Sequence, residues 1–311
     1  MNVKYLAYIG AILNATIVGL SFLFTKIALN SSNPIDTLSF RFTLAFLAIT
    51  FVMIILRRKP ISLKGLSKKE FSSLLLLALF YPTMFFSFQT FGLVYASSAE
   101  GGIILSLSPI FITIFASVFL KEKTTWQQGI FIMLSVLGVI YIFVMKGNVV
   151  EVDNFLGFGY LFISCLSIAG YTVLARHLTV NYSPLQLSFI MVSFGFLFFN
   201  GYALFYHLNA GDVATYLSLW GNGSFLISTF YLGVLATLLT SFLANYVLSK
   251  IPASQMSVFA NIATVISIAA GATFLNEKIY FYHWVGAALI IIGVIGTNIL
   301  KEKQRNQTSD S

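Results

Sequence analysis

The sequence predicts an all-α membrane protein of ten transmembrane helices arranged as two inverted five-helix repeats. Composition is the first observation behind this: of 311 residues, 58% are hydrophobic and 9% charged, and the mean hydropathy is +0.89. A soluble domain of that size cannot cover its surface with so few charges. The second is length, because the apolar residues fall into runs of about 20, enough to cross a bilayer core as a helix. The third is duplication. Phe119-Leu120-Lys121-Glu122-Lys123 returns as Phe274-Leu275-Asn276-Glu277-Lys278, 155 residues later, and Leu137-Gly138-Val139-Ile140 returns at the same offset as Ile292-Gly293-Val294-Ile295.

Weaker echoes link Pro34 and Leu38-Ser39-Phe40 to Pro184 and Leu187-Ser188-Phe189. The chain therefore divides into a first repeat over 1–150, a second over 151–300 and a polar tail over 301–311. In a membrane chain such halves are the usual mark of a transporter.

The expected spans are 5–28, 35–56, 71–95, 98–120 and 126–146, then 155–177, 184–207, 224–249, 252–275 and 281–300. The first follows Lys4 and runs too far for the apolar core of a signal peptide, with no clear cleavage site after it. Most connections are short, which makes consecutive helices antiparallel neighbours. Two are longer. Residues 57–70 carry Arg57, Arg58, Lys59, Lys64, Lys68 and Lys69, whereas residues 208–223 carry no Lys or Arg and turn at Gly211, Gly221 and Gly223.

With the N-terminus in the cytoplasm, 14 of the 18 Lys and Arg residues lie on that side, all but Lys26, Arg41, Lys146 and Lys278. The positive-inside rule then places both termini in the cytoplasm, in a multi-pass protein of the cell membrane. Five spans per repeat is odd, so the second repeat enters the membrane from the opposite face. That geometry lets a midplane site open alternately to either side.

Several classes are excluded. The net charge of +8 is spread over short loops, with no continuous basic face for nucleic acid. Cys165 is the one cysteine, so no internal disulfide or cysteine metal site can form. His177, His207 and His283 lie near span ends, without metal-ligand spacing. No catalytic triad, paired intramembrane carboxylates or glycine-rich phosphate loop is present, which argues against an enzyme and against any cofactor. The implied partners are a small-molecule substrate and the lipid bilayer; coupling to protons or another ion, or plain facilitated flow, stays open.

The chain resembles the EamA family of the drug/metabolite transporter superfamily. The first repeat carries Gly19-Leu20-Ser21-Phe22 with Lys26, Pro34 and Arg41, then Ala96, Ala99, Leu107-Ser108-Pro109 and Leu120 to Glu122. The second is similar through Gly170, Arg176, Pro184, Pro252, Ala253 and Phe274 to Glu277. Val18 replaces the family's usual tryptophan, Glu100 stands where a small apolar residue is normal, and Ile190 or Met191 answers Arg41. The resemblance implies a ten-helix carrier moving small metabolites, often outward, without naming the metabolite.

Candidate pathway residues follow from depth and polarity. Arg41 sits about 9 Å into the second span at 1.5 Å per residue, where a charge costs at least a few kcal/mol unless paired or hydrated. It either recognises substrate or is satisfied by carbonyls between helices. Glu100 is placed to pair with Arg41 or Lys26, to carry a proton or to hold an amine, or else is simply a wetted acid at the interface; Lys26 itself is expected to snorkel. Glu122 and Glu277 read as helix-end anchors. Pro82 and Pro109 fall near the middles of spans three and four and should free the carbonyls of Ala78 and Leu105. Asn14, Gln89, Asn245 and Asn261 lie at comparable depth and either bond neighbouring helices or line a cavity. Aromatics such as Tyr81, Phe85, Phe86, Phe88, Tyr171 and Tyr246 suit a stacking wall. The favoured expectation is a secondary carrier exporting amino acids or similar metabolites. The alternatives are a scaffold or sensor with a transporter-like fold, and a lipid-carrier flippase, which would need a strongly basic lateral cavity.

Overall fold

The computed structural model describes residues 3–57, 67–120, 125–146, 152–251, 256 and 259–309, and every regular element among them is helical. The helices are α1 (Val3–Leu29), α2 (Pro34–Ile55), α3 (Lys68–Ala78), α4 (Phe85–Tyr95), α5 (Ser98–Leu105), α6 (Ser108–Leu120) and α7 (Trp126–Lys146). There follow α8 (Val152–Leu178), α9 (Pro184–Ala210), α10 (Val213–Ser218), α11 (Gly223–Phe230), α12 (Thr240–Lys250), α13 (Ala260–Phe274) and α14 (Phe281–Ser309).

Local chemistry sets the ends. Asn33 accepts the N–H of Asp36 and Pro34 opens α2 at a position that needs no donor. Ser67, Ser97 and Ser183 each form a reciprocal capping box, with Glu70, Glu100 and Gln186. Gly211 adopts φ 70° and closes α9, a conformation that a Cβ would strain.

Among the described residues, seven helical stretches can cross a membrane by length and composition: Tyr5–Leu29, Pro34–Ile55, Lys68–Tyr95, Ser98–Phe115, Phe155–Leu178, Pro184–Ala210 and Gly223–Lys250. The other three expected spans coincide with shorter apolar helices, Trp126–Ile142, Ile262–Phe274 and Phe281–Gly293. Two segments outside the expected spans are also helical. Residues 208–223 hold the short helix α10 between their glycine turns, and the polar tail continues α14 as far as Ser309.

Packing interleaves the two halves. Helix α4 lies along α8, α1 along both α12 and α13, α2 along α9, and α7 along α14. One core joins Phe22, Leu93 and Ile103 to Cys165, Ile268 and Ile290. Another joins Leu38, Phe42 and Tyr81 to Tyr171, Leu187 and Leu248. The outward face is apolar: Phe51, Ile54, Phe119, Leu204 and Phe205 are all exposed. In water such a belt would aggregate; in lipid it is the expected surface.

Candidate functional site

A cavity of about 120 Å³ lies between α1, α2, α4, α5, α6, α8, α12 and α13. A cavity of roughly 150 Å³ can hold benzene, so the space suits a compact small molecule. Its apolar wall includes Tyr81, Phe85, Phe86, Ile168, Tyr171 and Phe259, while Asn14, Ser21, Arg41, Gln89, Ser108, Thr172 and Thr240 supply polarity.

Both walls that flank Arg41 are distorted helices. Between α3 and α4 the backbone widens over Leu79–Met84, and Tyr81 leaves helical geometry at φ −142° and ψ 113°. Between α11 and α12 it widens again over Tyr231–Leu239. There the N–H of Phe85 reaches Phe80 O and that of Thr240 reaches Leu235 O, five residues back. Pro82 causes the first distortion, and the carbonyl it frees on Ala78 accepts the hydroxyl of Thr83 at 2.9 Å. In the second, Thr237 donates to Leu232 O at 2.8 Å and in turn receives Arg41 Nε at 2.7 Å.

Arg41 is fully buried. Its Nη2 donates to Ala236 O at 3.1 Å, its Cζ sits 3.9 Å above the Phe86 ring, and Nη1 has no partner among the described residues. Gly233 brings the Tyr231–Leu239 segment against α2: a Cβ there would lie 2.5 Å from Arg41 O. Two more orphaned atoms line the cavity, Asn14 Oδ1 and Gln89 Oε1. Among the described residues, a guanidinium donor and two amide oxygens are thus left without a protein partner at this cavity.

Pro109 acts differently from a mid-span kink. It breaks the fourth apolar stretch: α5 ends at Leu105, and Pro109 sits in the first turn of α6, where its missing donor costs nothing. The carbonyl of Leu105 faces Cys165 Sγ at 4.0 Å. Ser108 lines the cavity, whereas Ser106 turns back to Ile103 O at 2.6 Å.

Other sequence candidates stand elsewhere. Glu100 does not pair with Arg41; its Oε2 accepts the backbone and hydroxyl of Ser97 at 2.8 and 3.1 Å, holding the start of α5. Asn245 is satisfied between helices, accepting Tyr171 OH at 3.1 Å and donating to Ser188 at 3.2 Å. The side chain of Asn261 lies outside the described residues, as does Glu122. Lys26, partly buried at the end of α1, donates to Leu93 O at 2.9 Å and Ala96 O at 3.0 Å. Glu277, in the connection between α13 and α14, anchors the start of α5 by accepting the N–H groups of Ser98 and Ala99 at 2.8 and 3.2 Å.

The EamA-like transporter family model matches residues 5–144 and again 155–299. The chain belongs to that family. The uncharacterized transporter YcxC of Bacillus subtilis (strain 168) is 47% identical over 298 residues, covering 96% of this chain and 94% of its own. An uncharacterized transporter of Archaeoglobus fulgidus is 28% identical over 282 residues, with 91% and 95% covered. A solved crystal structure superposes with TM-score 0.63 at 16% identity over 97% of this chain and 98% of that one, a likeness of fold. This EamA-like protein is therefore a multi-pass membrane transporter, with a small-molecule substrate and a lipid environment. Its sequence gave no sign of Thr237 as the anchor of Arg41. The signal was present only as correspondence, since Thr237 stands 155 residues after Pro82.

Proposed function

We propose that the chain is a secondary carrier that exports amino acids or similarly small metabolites from the cell by alternating access at the Arg41 cavity. The carrying observation is that Arg41 Nη1, Asn14 Oδ1 and Gln89 Oε1 all lack partners among the described residues and all belong to residues lining one cavity. Buried polar atoms are otherwise almost always bonded. A guanidinium N–H suits a carboxylate, and amide oxygens suit an amine or hydroxyl.

Ten helices span the cell membrane in this reading, as inverted repeats over 1–150 and 151–300, with both termini cytoplasmic. The recurrence of one contact supports it: Lys26 donates to Leu93 O, and Arg176, 150 residues on, donates to the carbonyl of Leu248, 155 residues on from Leu93. Pairings also exchange between halves, α1 with α12 as α4 with α8. No described feature favours a scaffold or a lipid-carrier flippase. Arg41 is the one charged residue among the described lining residues, where a flippase needs a basic cavity.

Metabolite profiling of cells lacking or overexpressing the protein tests this. Overexpression should enrich a small carboxylate-bearing metabolite in the medium and its absence should retain it inside. Identical profiles in both strains would remove the export reading.

A further inference from the structure

His207, set aside in the sequence, is buried at the end of α9 between two carboxylates. Its Nε2 is 2.6 Å from Asp36 Oδ1 on α2, and its Nδ1 is 2.6 Å from Asp212 Oδ1 in the turn beyond α9. Each of these contacts is a hydrogen bond and needs a hydrogen. A neutral imidazole carries one, and ionised carboxylates only accept. The three groups together therefore hold one proton more than neutral histidine and two carboxylates would. The ring is the more basic host, since free histidine titrates near 6.5 and free aspartate near 3.9.

The surroundings leave this proton little competition. Asp36 Oδ2 is already engaged by Asn33 Nδ2 at 2.8 Å and Ser32 Oγ at 3.2 Å. Among the described residues no lysine or arginine bonds to either carboxylate. The other titratable groups facing the ring are Tyr206 on α9 and Tyr216 on α10, with centroids 5.1 and 5.0 Å away. Burial raises Tyr216 above the usual tyrosine range, so it stays neutral. Solvent reaches the cluster through Asp212, whose side chain is 40% exposed against 3% for His207 and Asp36.

We propose that Asp36, His207 and Asp212 form a proton-binding site that fastens the start of α2 to the end of α9. With the proton bound, the imidazolium donates to both carboxylates and the two helix ends are tied. Its loss leaves one ring lone pair facing a carboxylate, so one tie breaks: either Asp36 is left buried with a missing donor or Asp212 swings into solvent. The site is separate from the Arg41 cavity, and its test needs no knowledge of the substrate.

The test uses full-length protein with 15N-labelled histidine in lipid nanodiscs, assigned with His177→Gln and His283→Gln. At pH 6.5 both ring nitrogens of His207 should carry hydrogen, and one should be lost in a single step as pH rises. Asp36→Asn and Asp212→Asn should each lower the proton affinity of His207 at least tenfold. Hydrogen exchange over residues 30–40, corrected for its intrinsic pH dependence, should rise at least tenfold across the same step and be high throughout in His207→Gln. Should that variant not fold, the affinity of exposed-site Asp212→Asn still decides. A bare ring nitrogen at pH 6.5, an affinity unchanged in both aspartate variants, or exchange that stays flat across the step would overturn the proposal.

Discussion

Lys26 Nζ donates to the carbonyl of Leu93 at 2.9 Å, tying the last turn of α1 to the last turns of α4. A lysine at a helix C-terminus complements the partial negative charge of unpaired carbonyls. Arg176 and Leu248 repeat the tie between α8 and α12. Hydrogen bonds from charged donors contribute roughly 1.5–3 kcal/mol. Lys26→Met should therefore lower thermal stability by about that amount and raise hydrogen exchange over residues 93–99, leaving residues 246–250 unchanged. Arg176→Met should do the reverse. Equal loosening at both sites in either variant would mean that the ties are not local.

The broken helix at Pro109 makes a sharper forecast than a kink would. In a Cys165→Ala background, cysteine at Ser108 should react with a small water-soluble thiol reagent, because Ser108 lines the cavity. Cysteine at Ser106, which turns back onto Ile103 O, should react far more slowly. Equal labelling at the two positions would contradict the lining.

Gly233 permits the close approach that fixes Arg41. A Cβ there meets backbone, Arg41 O at 2.5 Å and Ala45 N at 3.1 Å, which cannot yield as a side chain end would. Gly233→Ala should cost about 1–3 kcal/mol in denaturation assays. Gly201→Ala, inside α9 with nothing within 4 Å, should instead stabilise by up to about 1 kcal/mol.

Arg41 and Glu100 act independently in this structure, one held by Thr237 and Ala236, the other by Ser97. The stability losses of Arg41→Ala and Glu100→Ala should therefore add in the double variant to within about 0.5 kcal/mol. A double variant no worse than either single one would restore the pairing.

Much of this was legible in sequence because hydropathy and turn chemistry act locally. The spans followed from apolar runs of about 20 residues, and Asn14, Arg41 and Gln89 stood out as polar at apolar depth. What escaped is decided by partners far along the chain. Asn245 resembles Asn14 in sequence, yet Tyr171 and Ser188 satisfy it. Glu277 was legible as an anchor, but not that it holds Ser98, 179 residues away. Pro109 was legible as an irregularity near the middle of the fourth span, but hydropathy cannot tell a kinked helix from two helices, α5 and α6, that meet there.

The central claim is that the unpartnered face of Arg41 recognises the substrate. Once profiling has identified an exported metabolite, its uptake into vesicles reconstituted with wild type or Arg41→Met, at equal amounts of folded protein, tests the claim most directly. Loss of a charged hydrogen bond worth roughly 1.5–3 kcal/mol predicts a fall in transport of about tenfold or more at subsaturating substrate. Transport by Arg41→Met at the wild-type rate would contradict the account.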